Sequence, residues 1–103
     1  MPLAISPDEK DFIEKVFRVF LPPGTEIRYF GSRVSGSHRA HSDLDVALAR
    51  DGAPIDPLIL ANMRAVFEGS DLPYRVDLSD FSTLSSDFRE IIAATGMPPI
   101  TLD

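Results

Sequence analysis

Between Asp43 and Ala49 the chain runs Asp-Leu-Asp-Val-Ala-Leu-Ala, so Leu44, Val46 and Leu48 alternate with Asp43, Asp45 and Ala47. A period of two is that of a β-strand with one buried face. No other stretch constrains the fold as strongly, because it demands a sheet with an apolar layer on one side and sets two carboxylates on the other. Residues two apart on a strand stand about 6–7 Å apart at their roots and face the same way. Left unpaired, two such carboxylates repel, and at least one tends to hold a proton; a bound cation removes that cost. Magnesium suits the arrangement, since it takes one or two carboxylates together with phosphate oxygens and water.

Other segments supply what the sheet needs. Ser6 to Leu21 has a helix start, with Ser6 as N-cap, Pro7 at the first helical position and Glu9 placed to complete a capping box. Phe12, Ile13, Val16, Phe17 and Phe20 follow at helical spacing, and Pro22-Pro23-Gly24 ends the run. Glu26 to Phe30 is a short β-prone stretch closed by Gly31-Ser32, and Arg50 to Pro54 is a turn. Asp56-Pro57 repeats the cap-plus-proline start for a second helix, which carries Leu58, Leu60, Ala61, Met63, Val66 and Phe67 and stops at Gly69.

Tyr74 to Leu78 alternates again and predicts a third strand, with Tyr74, Val76 and Leu78 on one side and Arg75 and Asp77 on the other. A last helix is expected from Ser85 or Ser86 to Gly96, burying Phe88, Ile91 and Ile92. The tail from Met97 to Asp103 offers an edge strand through Ile100 and Leu102, limited by Pro98 and Pro99. Strands alternating with helices predict an α/β (α+β) fold, a small mixed sheet of three to four strands covered by helices.

At 103 residues the chain has room for one compact domain, residues 1–103, and so small a domain invites a partner or self-association as a homo-oligomer to complete its stability. No stretch approaches the roughly 20 apolar residues that span a bilayer, and the N-terminus has no signal-peptide pattern, so a cytoplasmic protein without membrane association is expected. The absence of cysteine excludes disulfides, thiolate ligands and thiol nucleophiles, and two histidines leave little for a zinc site. A net charge of −6 argues against free-standing nucleic-acid binding, because the molecule as a whole repels phosphate backbones.

An isolated Asp-x-Asp is usually no more than an acidic solvent face. Asp77 changes this, because it faces the same way as Asp43 and Asp45 if the two strands are neighbours, and a third carboxylate would complete a two-metal cradle. A glycine at a strand end lets backbone come close to a ligand, and successive amides with a serine hydroxyl can hold phosphate oxygens. Gly31-Ser32 is such a pair, ten residues ahead of Asp43.

Together, Phe30-Gly31-Ser32-Arg33-Val34-Ser35-Gly36, Ser42-Asp43-Leu44-Asp45 and Val76-Asp77-Leu78 resemble the signature of the DNA polymerase β-like nucleotidyltransferase superfamily. The chain is most similar to the minimal nucleotidyltransferases, antitoxin-type proteins encoded beside HEPN-domain partners, and the resemblance runs from the first helix through the last. It implies that Gly31 and Ser32 hold the β and γ phosphates of ATP or another nucleoside triphosphate. It implies that Asp43 and Asp45 bind two Mg2+ ions, and that Asp77 completes the catalytic metal site and helps deprotonate the acceptor hydroxyl.

The chain departs from many relatives in carrying Ser35, not Arg or Lys, before the next glycine. Arg33 is then either a triphosphate contact or a solvated side chain. His38, Arg39 and His41 lie in the same connection, within reach of phosphate or simply exposed, and Ser42 shapes the strand entry by hydrogen bonding beside the nucleotide. The resemblance implies transfer of AMP from ATP to a hydroxyl on a HEPN-domain toxin, typically a tyrosine. Two other readings stay open: a catalytically spent binding module that neutralises its partner by covering it, and an enzyme acting on a small molecule such as an aminoglycoside.

Overall fold

The computed structural model describes residues 3–103. Four helices and four strands follow in the order α1 (Pro7–Phe20), β1 (Glu26–Phe30), α2 (Ser32–Ser35), β2 (Leu44–Ala49), α3 (Pro57–Glu68), β3 (Val76–Asp80), α4 (Ser86–Thr95) and β4 (Ile100–Thr101), with a 3₁₀ turn at Phe81–Thr83. The sheet order is β3-β2-β1-β4. β1 runs antiparallel to β2 and to β4, while β2 and β3 are parallel and joined by the α3 crossover. The sheet is therefore mixed and four-stranded, as the alternation of elements predicts. Among the described residues no helix is long and apolar enough to cross a membrane.

Each long helix begins where its cap chemistry says it should. The Ser6 side chain accepts from the Glu9 amide at 3.1 Å and Glu9 accepts from the Ser6 amide at 2.9 Å, so the capping box is complete. Asp56 accepts from the Leu58 amide ahead of α3, and Ser85 accepts from the Phe88 amide ahead of α4. Ile13, Val16 and Phe17 of α1 and Leu60, Met63 and Phe67 of α3 pack against Ile27, Tyr29, Leu44, Val46, Leu48, Val76 and Leu78 on one face of the sheet. The alternation in β2 thus buries Leu44, Val46 and Leu48 and turns Asp45 to the other face.

Three expectations need correction. The third strand is displaced by two residues, beginning at Val76 and ending at Asp80; Tyr74 is buried but lies before it. Pairing nonetheless starts early, since the Leu44 amide donates to the Arg75 carbonyl at 2.8 Å. In α4 only Ile92 is buried, whereas Phe88 and Ile91 are 38% and 56% exposed. A ten-residue helix crossing a small sheet face covers it along one ridge, and Phe88 reaches only the edge of Phe30, with ring centroids 5.8 Å apart. The tail pairs through Ile100 and Thr101; Leu102 falls beyond the strand, buried, with its amide bonded to the Thr25 carbonyl.

Candidate functional site

β1 ends at Phe30, and Gly31 then turns the chain into the single helical turn α2 with φ +83° and ψ −157°. Only glycine adopts that conformation without strain. A Cβ there would also collide with the Asp45 carboxylate, so glycine is required twice, by conformation and by close approach. Phe30 pairs with Asp45 in the antiparallel register, and Asp45 pairs with Asp77 in the parallel one. Asp45 is thereby flanked by the glycine bend on one side and by Asp77 on the other. Register partners on adjacent strands stand about 5 Å apart and face the same way. Asp43 lies one residue before β2, two residues from Asp45 and on its side.

The electrostatics agree with this convergence. Partial burial pushes the Asp45 carboxyl above the usual carboxylate range, and the negative charges of Asp77 and then Asp43 push it further, while Arg75 pulls the other way. All three carboxylates therefore share one field, and one guanidinium opposes it. Arg75 Nη2 donates to Asp43 Oδ2 at 2.9 Å. Its own proton is held more firmly than usual by that hydrogen bond and by the charges of Asp43 and Asp77. As the side chains stand, the described residues include no group of three acidic or histidine side chains gathered closely enough to enclose a metal ion. The donor set nonetheless fits a hard divalent cation, being all carboxylate oxygen with one member raised by burial and by its neighbours' charge.

Arg33 is not the solvated side chain that was one of the two alternatives raised for it. It is 5% exposed, and its guanidinium lies over the Tyr74 ring at 4.0 Å from the centroid. Nε donates to the Ser42 carbonyl at 2.9 Å, Nη1 to the Ala4 carbonyl at 2.8 Å, and Nη2 to the carbonyls of Ala40 at 3.0 Å and Arg39 at 3.4 Å. Five donors in a rigid fork suit this task. The result ties α2 to the loop that delivers Asp43. Ser42 acts as expected at the strand entry, its Oγ accepting from the Arg39 amide at 2.8 Å. His41 contacts the Pro73 carbonyl at 3.1 Å, and Arg39 is exposed.

Sequence reasoning placed Arg75 on the same side as Asp77 but gave it no part in the site. Its signal was its position, two residues before an acidic residue on a strand. Beside Asp77, between the end of α3 and the start of β3, lies a groove of about 280 Å³ lined in part by Arg64, Phe67, Glu68, Leu72, Arg75 and Asp77.

Known proteins share this arrangement of elements. No family model matches the chain. The MntA protein of Haemophilus influenzae, described as a probable protein adenylyltransferase, is 41% identical over 90 residues, covering 87% of this chain and 77% of the relative. A chain from a crystallised toxin–antitoxin with AMP-PNP superposes with a TM-score of 0.71 at 25% identity, covering 85% of this chain and 69% of that one. A solved structure described as a minimal nucleotidyltransferase gives a TM-score of 0.67 at 28% identity, covering 88% of this chain and 92% of that one. Kinship at this level, on a mixed sheet that brings Asp45 beside Asp77 next to a glycine bend, makes the chain a member of the MntA-type minimal nucleotidyltransferases, and a nucleotidyltransferase by activity.

Proposed function

We propose that the protein is a Mg2+-dependent protein adenylyltransferase that moves AMP from ATP to a hydroxyl on a HEPN-domain toxin and so serves as its antitoxin. The observation that carries this reading is the register pair Asp45–Asp77 lying beside Gly31, which sets carboxylates and a backbone bend at one end of the sheet. The relative's description as a protein adenylyltransferase and the neighbour's crystallisation as a toxin–antitoxin with AMP-PNP support protein as acceptor and ATP as donor.

Each residue has a task in this scheme. The backbone of Gly31 and the amide and hydroxyl of Ser32 hold the β and γ phosphates, since the bend carries no side-chain cap on the turn that follows. Asp43 and Asp45 would hold Mg2+, and Asp77 would join them on the catalytic ion. When bound, the metal supplies positive charge against the entering and leaving oxygens. Asp77, the exposed carboxylate at the β3 edge, takes the proton of the acceptor hydroxyl. The hydroxyl oxygen bonds to the α phosphorus as the bond to the pyrophosphate oxygen breaks. No covalent enzyme intermediate is needed, because alignment and charge lower the barrier. Arg33 and Ser42 hold the loop geometry through their hydrogen bonds.

The test is direct. The pure protein, α-labelled ATP, Mg2+ and the product of the neighbouring toxin gene are combined, and label is sought on the toxin by autoradiography and by a mass gain of one AMP. Label that disappears in Asp77→Asn supports the scheme. Tight binding with no transfer would establish a covering module, and label on an aminoglycoside supplied in place of the toxin, with none on the toxin, would establish small-molecule modification.

A further inference from the structure

The carboxylate cluster already contains a cation of the protein's own. Arg75 reaches it from β3's approach, two residues before Asp77, and places Nη2 2.9 Å from Asp43 Oδ2. Asp77 also attracts this guanidinium, and its charge is felt at Asp45, so one side chain answers all three acids. We propose that Arg75 is an internal counter-ion that pairs with Asp43 in the metal-free protein and is exchanged for the divalent cation when the metal and nucleotide bind. This role rests on the metal chemistry of the proposed function and adds to it a residue that governs access to the first ligand.

Three observations carry it. First, the side chains do not stand around a common point closely enough for a cation to be enclosed, and the direct contact of Asp43 is with Arg75. A guanidinium seated on a carboxylate oxygen competes with a hard ion for that oxygen and repels the ion by its charge. Second, the exchange is accessible, because the Arg75 side chain is 67% exposed and is anchored to the cluster by this one hydrogen bond. Third, a displaced guanidinium has somewhere to go. Glu68 adds its attraction to Arg75 and lines the same groove between α3 and β3. Arg75 therefore keeps a partner after leaving Asp43, and the groove beside Asp77 gains a positive rim when the metal site fills. Arg75 is a positioning residue on this account, acting through Asp43 and not on the reacting atoms.

The experiment measures cation binding without nucleotide, by titrating Mn2+ into the protein and following the free ion by electron paramagnetic resonance. Removing one unit charge about 8 Å from a divalent cation in a water-like medium, the distance of a displaced guanidinium, alters its binding by roughly 3- to 10-fold. Arg75→Gln should accordingly bind Mn2+ roughly 3- to 10-fold more tightly than the wild type. Arg75→Lys, which keeps the charge, should stay within about 2-fold of the wild type, and the gain in Arg75→Gln should shrink in about 0.5 M KCl as screening shortens the field. A melting curve of each protein checks folding, and Mn2+ should raise the midpoint of Arg75→Gln by more than it raises that of the wild type.

Equal or weaker Mn2+ binding by a folded Arg75→Gln would overturn the counter-ion role while leaving the metal reading untouched. The role fails equally if Arg75→Lys behaves like Arg75→Gln, since charge would then not be the cause. Failure of the wild type and both variants to bind millimolar Mn2+ would instead remove the metal reading on which the counter-ion role rests.

Discussion

Asp45 is the side chain on which most constraints meet. It stands between the Gly31 bend and Asp77, partly buried, with its carboxyl raised first by desolvation and then by Asp77 and Asp43. A raised folded value means that folding favours the protonated form. The resulting penalty is fully present at neutral pH, shrinks as pH falls through the raised value, and vanishes below the ordinary value of 3.8. Metal-free Asp45→Asn should therefore melt higher than the wild type near pH 7, and the gap should close in mildly acidic buffer, as followed by circular dichroism. The same substitution should lower AMP transfer by roughly 100- to 1000-fold, since it removes a metal ligand whose charge stabilisation is several kcal/mol. Asp43→Asn should not share the gain in melting temperature, because it also breaks the Arg75 pair. Gly31→Ala should cost about 1–3 kcal/mol in a urea melt through its left-handed backbone, and should lose transfer through its clash with Asp45.

At the scale of elements, the site depends on how short pieces are fastened. α2 is one turn long and cannot hold itself, since a single turn has almost no cooperative stability. Its fastening is Arg33, whose guanidinium gathers carbonyls from the N-terminal segment and from the 39–42 loop and stacks on Tyr74. Arg33→Met should cost about 2–4 kcal/mol by leaving four partly buried carbonyls without their shared donor, measured by urea denaturation. Activity should fall with it, because the Gly31 bend and the Asp43 loop lose their common anchor. Ser6→Ala should cost about 1 kcal/mol by opening one side of the α1 capping box. It should leave nucleotide affinity unchanged, as α1 lies on the helical face of the sheet, away from the carboxylates.

At the scale of the whole molecule, a net charge of −6 is unevenly useful. Three of its carboxylates are drawn into one field, so the metal-free fold carries a repulsion that mobile ions can screen. Raising salt from about 0.05 to 0.5 M should therefore raise the metal-free melting temperature, and Mg2+ with nucleotide should raise it further at constant ionic strength. A scanning fluorimetry series in which salt lowers the midpoint would contradict this picture of a self-repelling site.

How much of this was legible in the sequence differs from residue to residue. Local rules determined the caps at Ser6, Asp56 and Ser85, the breaks at Pro22 and Gly96, and the buried face of β2, because each depends on neighbours only a few positions away. Alternation also carried the sidedness of Asp77, whereas Asp80, three positions on, falls on the buried side and accepts the Ile55 amide. Tertiary structure decided what no periodicity encodes. Whether β3 lies beside β2, and in which register, is a pairing between segments some thirty residues apart, and it alone makes Asp45 and Asp77 partners. Arg33 turned inward because Tyr74, the Ala4 carbonyl and the 39–42 loop surround it, and Arg75 turned toward Asp43 because their strands begin together. A charged side chain of that length can serve water, phosphate, carbonyl or carboxylate, and only the assembled fold selects which one is within reach.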